Sequence, residues 1–198
     1  MSHLELAEIA KMLASPAFAE SACRHLAETC PTCGDRLRQV EALMKRFRHW
    51  DPEVVVQEGL EADGLLAALL AEGQDSACWP SRVEQDTDLQ TWGVAWVALE
   101  RARGLIADKA SNAQARELAL LAATIAEHLG NSYHPESVSD LKALAYAVAA
   151  AAAEPPGEDY VDARLAHVAA AVTALAKGTR EETFTREVWA LLSRIFRP

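Results

Sequence analysis

The residues best suited to chemistry lie close together near the start of the chain, where Cys23, His25, Cys30 and Cys33 fall within eleven residues. Thiolate sulfur and imidazole nitrogen are preferred ligands of Zn²⁺, and a C-x-x-C turn with a nearby histidine is a common way to supply them. Pro31 suits the first turn of a helix, so both thiols of the C-x-x-C turn would lie at a helix N-terminus, where the dipole favours the thiolate. The spacing therefore predicts a zinc site that includes His25, Cys30 and Cys33.

Two other interpretations of the C-x-x-C turn are open. Cys30 and Cys33 are also compatible with two half-buried cysteines at a helix junction, or with a redox pair. A thioredoxin-like redox pair is disfavoured because no β-α-β pattern surrounds the motif.

The fourth zinc ligand has competing candidates. Cys23 is nearest in sequence, but it lies two residues from His25 on the same predicted helix, and side chains at that spacing do not face each other. His3 begins a separate helix, and a ligand there would join the first helix to the rest of the site. We therefore favour His3, while Cys23, a carboxylate such as Glu5, and a site with no fourth protein ligand stay open.

The composition is typical of a mostly helical protein, with 51% hydrophobic and 6% aromatic residues among 198. The net charge of −10 is unevenly spread, because residues 51–100 carry eleven acids against one base, Arg82. An acidic surface disfavours nucleic acid as a partner and favours a basic protein. Neither a signal peptide nor an apolar run of about twenty residues occurs, so we expect no membrane contact. Together with the C-x-x-C chemistry, this predicts a cytoplasmic protein.

Capping signals and apolar periodicity predict helices throughout and no β-strand. Ser2 and Glu5 resemble a capping box, and Asp51-Pro52 is a further start signal. The leucine stripe at 65–70 is interpreted as core packing, with a free docking face as the alternative, and His167 is expected to face solvent. The predicted helices cover about 2–13, 16–27, 31–47, 52–70, 88–108, 111–129, 135–153, 159–176 and 181–196, and 73–80 is a predicted loop.

Residues 3–50 resemble the zinc-binding anti-sigma domain, whose motif is a histidine followed by C-x-x-C at a helix start, with a further ligand upstream. His25, Cys30 and Cys33 match that motif, and His25-Leu26 matches its usual His-Leu pair. The gap before Cys30 is one residue longer than is commonest in that family. The resemblance implies a bound Zn²⁺ and a helix after the zinc site, here Pro52–Leu70, that docks on a sigma factor and keeps it from RNA polymerase.

Residues 86–177 resemble divergent tetratricopeptide-like repeats, in runs such as Asp88–Arg103, Ala126–Gly130 and Val138–Tyr146. Such repeats bind peptides or proteins and do not catalyse. The predicted organisation is therefore an all-α chain. It has a zinc-binding anti-sigma-like domain at 1–50, an acidic helix and linker at 51–85, and antiparallel tetratricopeptide-like helical repeats at 86–198.

The predicted function is binding and not catalysis, because no nucleophile elbow, zinc-protease helix, P-loop or dinucleotide fingerprint occurs. We expect a cytoplasmic anti-sigma factor that binds Zn²⁺ through His3, His25, Cys30 and Cys33 and sequesters a sigma factor. The alternative is a helical-repeat adaptor for another protein partner, in which the zinc site is only structural.

Overall fold

The computed structural model describes residues 3–14, 30–47, 52–71, 76–106, 112–130, 133–152 and 158–195. Within these residues nine α-helices pack against one another and no strand occurs, which confirms the all-α prediction. The helices are α1 (Leu6–Ala14), α2 (Pro31–Phe47), α3 (Pro52–Ala71), α4 (Trp79–Gln85), α5 (Trp92–Ile106), α6 (Asn112–His128), α7 (Pro135–Ala151), α8 (Glu158–Lys177) and α9 (Glu182–Ile195), with 3₁₀ turns at Ser76–Cys78 and Thr87–Leu89. No helix in this part of the chain is long and apolar enough to cross a membrane.

Proline marks the start of several helices, as the sequence predicts. Pro31, Pro52 and Pro135 are the first residues of α2, α3 and α7, where the missing N–H is harmless. The first helix starts later than predicted. The Glu5 backbone N–H donates to the Glu8 carboxylate at 2.8 Å, so Glu8 takes the capping-box role that the sequence assigned to Glu5. Ser2 and the predicted helix at 16–27 lie outside the described residues.

The main core extends from α3 to α9. Helices that follow one another from α5 to α8 pack side by side, while α9 packs on α7 and α3 packs on α5. Many of the buried contact residues are alanines with no exposed surface, including Ala98, Ala122 and Ala147, and such small residues let helix axes approach closely. Sequential packing of neighbouring helices is what the repeat resemblance leads one to expect, although the repeat arrangement itself stays a prediction.

A second, smaller core lies between α1, α2 and the start of α3. Its buried members are Ile9, Ala10, Leu37, Val40 and Val56. Leu4, Leu6 and Leu13 pack against this small core from the α1 side.

Helix α3 belongs to both cores. Val56 lies in the small core, whereas Leu66 and Leu69 are buried in the main core. The leucine stripe of this helix therefore packs in the core, as the sequence interpretation favoured. Only Val54 and Leu60 remain as exposed large apolar side chains on α3 among the residues described.

Two expectations from the sequence are wrong. The segment predicted as a loop forms a 3₁₀ turn and the start of α4 from Ser76 onward, and Trp79 is buried in the main core. His167 does not face solvent, since it is half-buried against α7, and Leu165 on the same helix is exposed instead. A periodicity of 3.6 residues identifies a helix but does not show which of two apolar stripes is buried.

Candidate metal centre

Helices α1 and α2 bring three of the predicted ligands together. The Nδ1 atom of His3 lies 3.4 Å from the Cys30 sulfur and 4.0 Å from the Cys33 sulfur. One ligand atom from each residue lies within 4.8 Å of the others. His3 is exposed, Cys30 is half-buried and Cys33 is buried, so the cluster opens to solvent on the histidine side. No other such group of metal-ligating side chains occurs within the described ranges.

The separations fit a tetrahedral zinc site. With Zn–S near 2.3 Å and Zn–N near 2.05 Å, tetrahedral angles place sulfur and nitrogen ligands about 3.6 Å apart. The two distances from His3 to the sulfur atoms fall on either side of that value. Two sulfurs and one imidazole are a donor set that selects Zn²⁺ over hard cations such as Mg²⁺. The three residues can therefore hold a metal ion.

The start of α2 prepares Cys30 for metal binding. Cys30 directly precedes the helix, and its carbonyl accepts the Gly34 N–H at 2.9 Å. The Cys30 sulfur accepts hydrogen bonds from the Cys33 backbone N–H and from the Cys33 thiol. These bonds, together with His3, lower the pKa of Cys30 from 9.0 to about 7. A helix N-terminus is where such stabilisation of a thiolate is expected. The lowered pKa of Cys30 favours the thiolate, which is the form that binds a metal ion.

Arg36 holds the histidine end of the site against α2. Its guanidinium donates to the Leu4 carbonyl and lies 3.4 Å from the Glu5 carboxylate. These contacts flank His3 on the C-terminal side and cross 31 or 32 residues of sequence. Arg36 therefore positions His3 without being a ligand.

The remaining ligand candidates divide into two groups. His25 and Cys23 lie outside the described residues, so their part in the site stays a prediction. Glu5 lies beside the cluster, but its carboxylate is paired with Arg36, which leaves it less suited to a metal.

The other described histidines serve helix ends and packing. The Nδ1 atom of His128 is 2.9 Å from the Thr124 carbonyl at the end of α6, and His134 precedes α7. His167 stacks on Tyr146 with ring centroids 6.2 Å apart. Burial, followed by the charge of Arg116, lowers the pKa of His167.

A buried polar network on α3 escaped the sequence analysis. Glu58 is 9% exposed, and its carboxylate accepts the Tyr133 hydroxyl and, at 3.2 Å, the Gly93 N–H in the first turn of α5. The Tyr133 oxygen in turn accepts the Trp92 N–H at 3.2 Å. A signal existed, because Glu58 precedes the buried Ala62 and Leu66 at spacings of four and eight residues. The network fixes α3, and through it the small core, to the rest of the chain.

Comparison with known proteins does not assign this chain to a family. No family model matches the chain, and neither a curated protein nor a solved structure matches it significantly.

Proposed function

We propose that the chain is a zinc-binding anti-sigma factor that sequesters a sigma factor and so regulates transcription. The observation that carries the proposal is the cluster of His3, Cys30 and Cys33 within 4.8 Å of one another. Cys30 and Cys33 are two of the three residues that carry the resemblance to the zinc-binding anti-sigma domain, and the third, His25, lies outside the described residues. Zinc, when bound, supplies a structural link between chain segments that are far apart in sequence. The regulatory function is one of binding, and no catalytic step is proposed.

The zinc site supports partner binding by fixing α1 on α2. Five of the described residues, from three helices, are buried in the small core, and a module of roughly fifty residues is too small to rely on packing alone. His3 lies before α1, and the two cysteines lie at the start of α2. Metal binding free energy is therefore expected to become folding free energy for this part of the chain.

The proposed sigma-binding surface is the outer face of α3. Its inner face already packs in both cores, so a partner meets the outward side chains, which include Val54 and Leu60 at 37% and 55% exposure. Glu61 and Asp63 are exposed nearby. An apolar centre with an acidic rim suits a basic partner and steers its association.

The second candidate is an adaptor in which the zinc site is only structural. It is favoured by the burial of Leu66 and Leu69 against the main core. In the anti-sigma resemblance this helix docks on the partner, whereas here its leucine stripe packs within the chain. Under this alternative the partner binds on α5 to α9.

Capture of a candidate sigma factor by the full chain tests the proposal. The best candidate is the product of a sigma-factor gene adjacent to the gene for this chain, co-expressed with the tagged protein. Leu60→Glu on α3 should weaken capture by on the order of 10-fold, since charge enters the apolar centre of the surface. Leu165→Glu on α8, a matched change at a similarly exposed leucine, should leave capture unchanged.

Two results would count against the anti-sigma proposal. If neighbouring sigma factors are not captured at all, the proposal is wrong. If Leu165→Glu abolishes capture while Leu60→Glu does not, the partner binds the later helices and the adaptor function replaces it.

A further inference from the structure

Helix α8 carries apolar side chains on its outer face as well as on its inner face. Its large apolar side chains Val161, Leu165 and Val172 are 51%, 50% and 38% exposed. Its central polar side chains point the other way, toward α7. The Arg164 Nε donates to the Ala150 carbonyl at 3.1 Å, and His167 stacks on Tyr146. Because Ala171 and Leu175 are buried in the main core, apolar side chains occupy both faces of α8, which is the pattern of a helix that has a further packing partner.

The outer face of α8 carries charge only near its two ends. Asp162 and Lys177 are exposed, and every exposed residue between them is uncharged. These residues are Leu165, Ala166, Ala169, Val172, Thr173 and Ala176. The acid and the base are fifteen residues apart, or about 22 Å along the helix axis.

The apolar surface continues from α8 onto α9. An open groove of about 470 Å³ lies between the two helices, with Val172 and Ala176 on one side and Trp189 on the other, and with Arg180 and Glu182 also in its lining. Trp189 is 50% exposed. Large aromatic side chains beside such a groove are typical centres of protein interfaces.

We propose that this surface binds a second copy of the chain, with the two α8 helices packed antiparallel about a two-fold axis near Ala169 and Ala170. The end charges select this arrangement. Antiparallel packing places each Asp162 opposite Lys177 of the other copy, whereas parallel packing would set like charges together. The alanines between them let the helix axes approach closely. The interface is isologous, so each favourable contact occurs twice.

The same axis gives Leu165 a defined site. About a two-fold axis between residues 169 and 170, Leu165 of one copy lies at the level of residue 174 of the other along the helix axis. Residue 174 itself packs against the main core, so the outward side chains at this level are Val172 and Ala176, which line the groove beside Trp189. Leu165 of each copy is therefore expected to enter the groove of the other. This dimer requires neither the metal site nor a sigma factor, so its failure and the failure of the proposed function are separate results.

Sedimentation equilibrium of the full chain tests the dimer. The wild type should shift from monomer to dimer as its concentration rises through the micromolar range. Leu165→Glu should weaken the dimer on the order of 100-fold, since a leucine is lost from the interface in each copy. Leu60→Glu, on the exposed face of α3, should dimerise like the wild type. Circular dichroism should show unchanged helix content for both variants.

A charge exchange tests the antiparallel arrangement. Asp162→Lys and Lys177→Asp should each weaken the dimer several-fold, because each sets like charges opposite one another. The double variant should restore wild-type association. A wild type that stays monomeric, a dimer unaffected by Leu165→Glu, or a double variant weaker than either single one would overturn the proposal. A monomer would leave the surface to a helix of another protein.

Discussion

Replacing Tyr133 by phenylalanine should destabilise the chain, because this hydroxyl serves the buried network that ties α3 to α5. The change removes a donor to the Glu58 carboxylate and an acceptor for the Trp92 N–H. The ring itself is retained, so its contact with the Trp92 ring at a centroid separation of 5.9 Å persists and no large cavity forms.

The expected cost follows from the two lost hydrogen bonds. A bond to a charged group contributes about 1.5–3 kcal/mol, and a buried N–H left without its acceptor costs about 1 kcal/mol or more. Glu58 keeps its bond from the Gly93 N–H, so the carboxylate is not left wholly unpaired. We expect the free energy of unfolding to fall by about 3 kcal/mol at neutral pH.

The loss of stability in Tyr133→Phe should become smaller as the pH rises above about 10. Burial, together with the Glu58 carboxylate, raises the pKa of Tyr133 well above its ordinary value of 10.0. Above about pH 10 the unfolded chain therefore binds fewer protons than the folded one, and the contribution of Tyr133 to stability falls by about 1.4 kcal/mol per pH unit. The difference between wild type and Tyr133→Phe should be about 1.4 kcal/mol smaller at pH 11 than at pH 8.

Urea denaturation followed by tryptophan fluorescence measures both quantities, since Trp92 lies beside the substituted ring. Tyr146→Phe is the matched control, because its hydroxyl donates to Glu127 at 3.1 Å at the exposed surface, and it should cost under about 1 kcal/mol. Equal losses of the free energy of unfolding in Tyr133→Phe and Tyr146→Phe would contradict the special role of the buried hydroxyl. So would a difference between wild type and Tyr133→Phe that stays constant from pH 8 to 11.

Two further variants test the close approach of α3 to α5 and the positioning of the metal site. Gly93→Ala should lower the free energy of unfolding by about 2 kcal/mol, because the new Cβ would lie 2.7 Å from the Glu58 backbone oxygen. A Cβ at Gly104 on the same helix meets no atom within 4 Å, so Gly104→Ala should raise the free energy of unfolding by about 0.5–1 kcal/mol. Thermal denaturation should rank the two variants on opposite sides of the wild type, and the same sign for both would contradict the packing. Arg36→Ala should weaken zinc retention against a chelator by about 10-fold, as expected for loss of an outer contact that orients a ligand. Arg38→Ala is the control and should retain zinc like the wild type, because the ion pair of Arg38 lies within α2. Equal zinc retention in the two variants would show that Arg36 does not position His3.

Local signals in the sequence predict much of the fold. Proline at the first helical position and apolar spacing locate most helices within a few residues of their observed bounds. His3, which the sequence favoured as the fourth ligand because it precedes a separate helix, lies beside Cys30 and Cys33.

The features that the sequence did not predict depend on which face of a helix meets its neighbour. Glu58 was counted with the acids of α3, yet it is buried because a tyrosine 75 residues away supplies its hydrogen bond. His167 was expected to face solvent, but α7 offers Tyr146 as a stacking partner, and Leu165 is exposed instead. Such choices depend on partners far away in the chain, which periodicity does not identify.

The metal content of the full chain, purified without chelators, tests the central claim most directly. We expect one equivalent of zinc per chain, with zinc lost on Cys33→Ser. Zinc binding should be weakened in His3→Ala about as much as in His25→Ala, since each histidine change leaves a three-coordinate site. Cys23→Ser should retain the zinc. Wild-type protein without zinc would contradict the metal site, and full occupancy in His3→Ala would contradict the role assigned to that histidine.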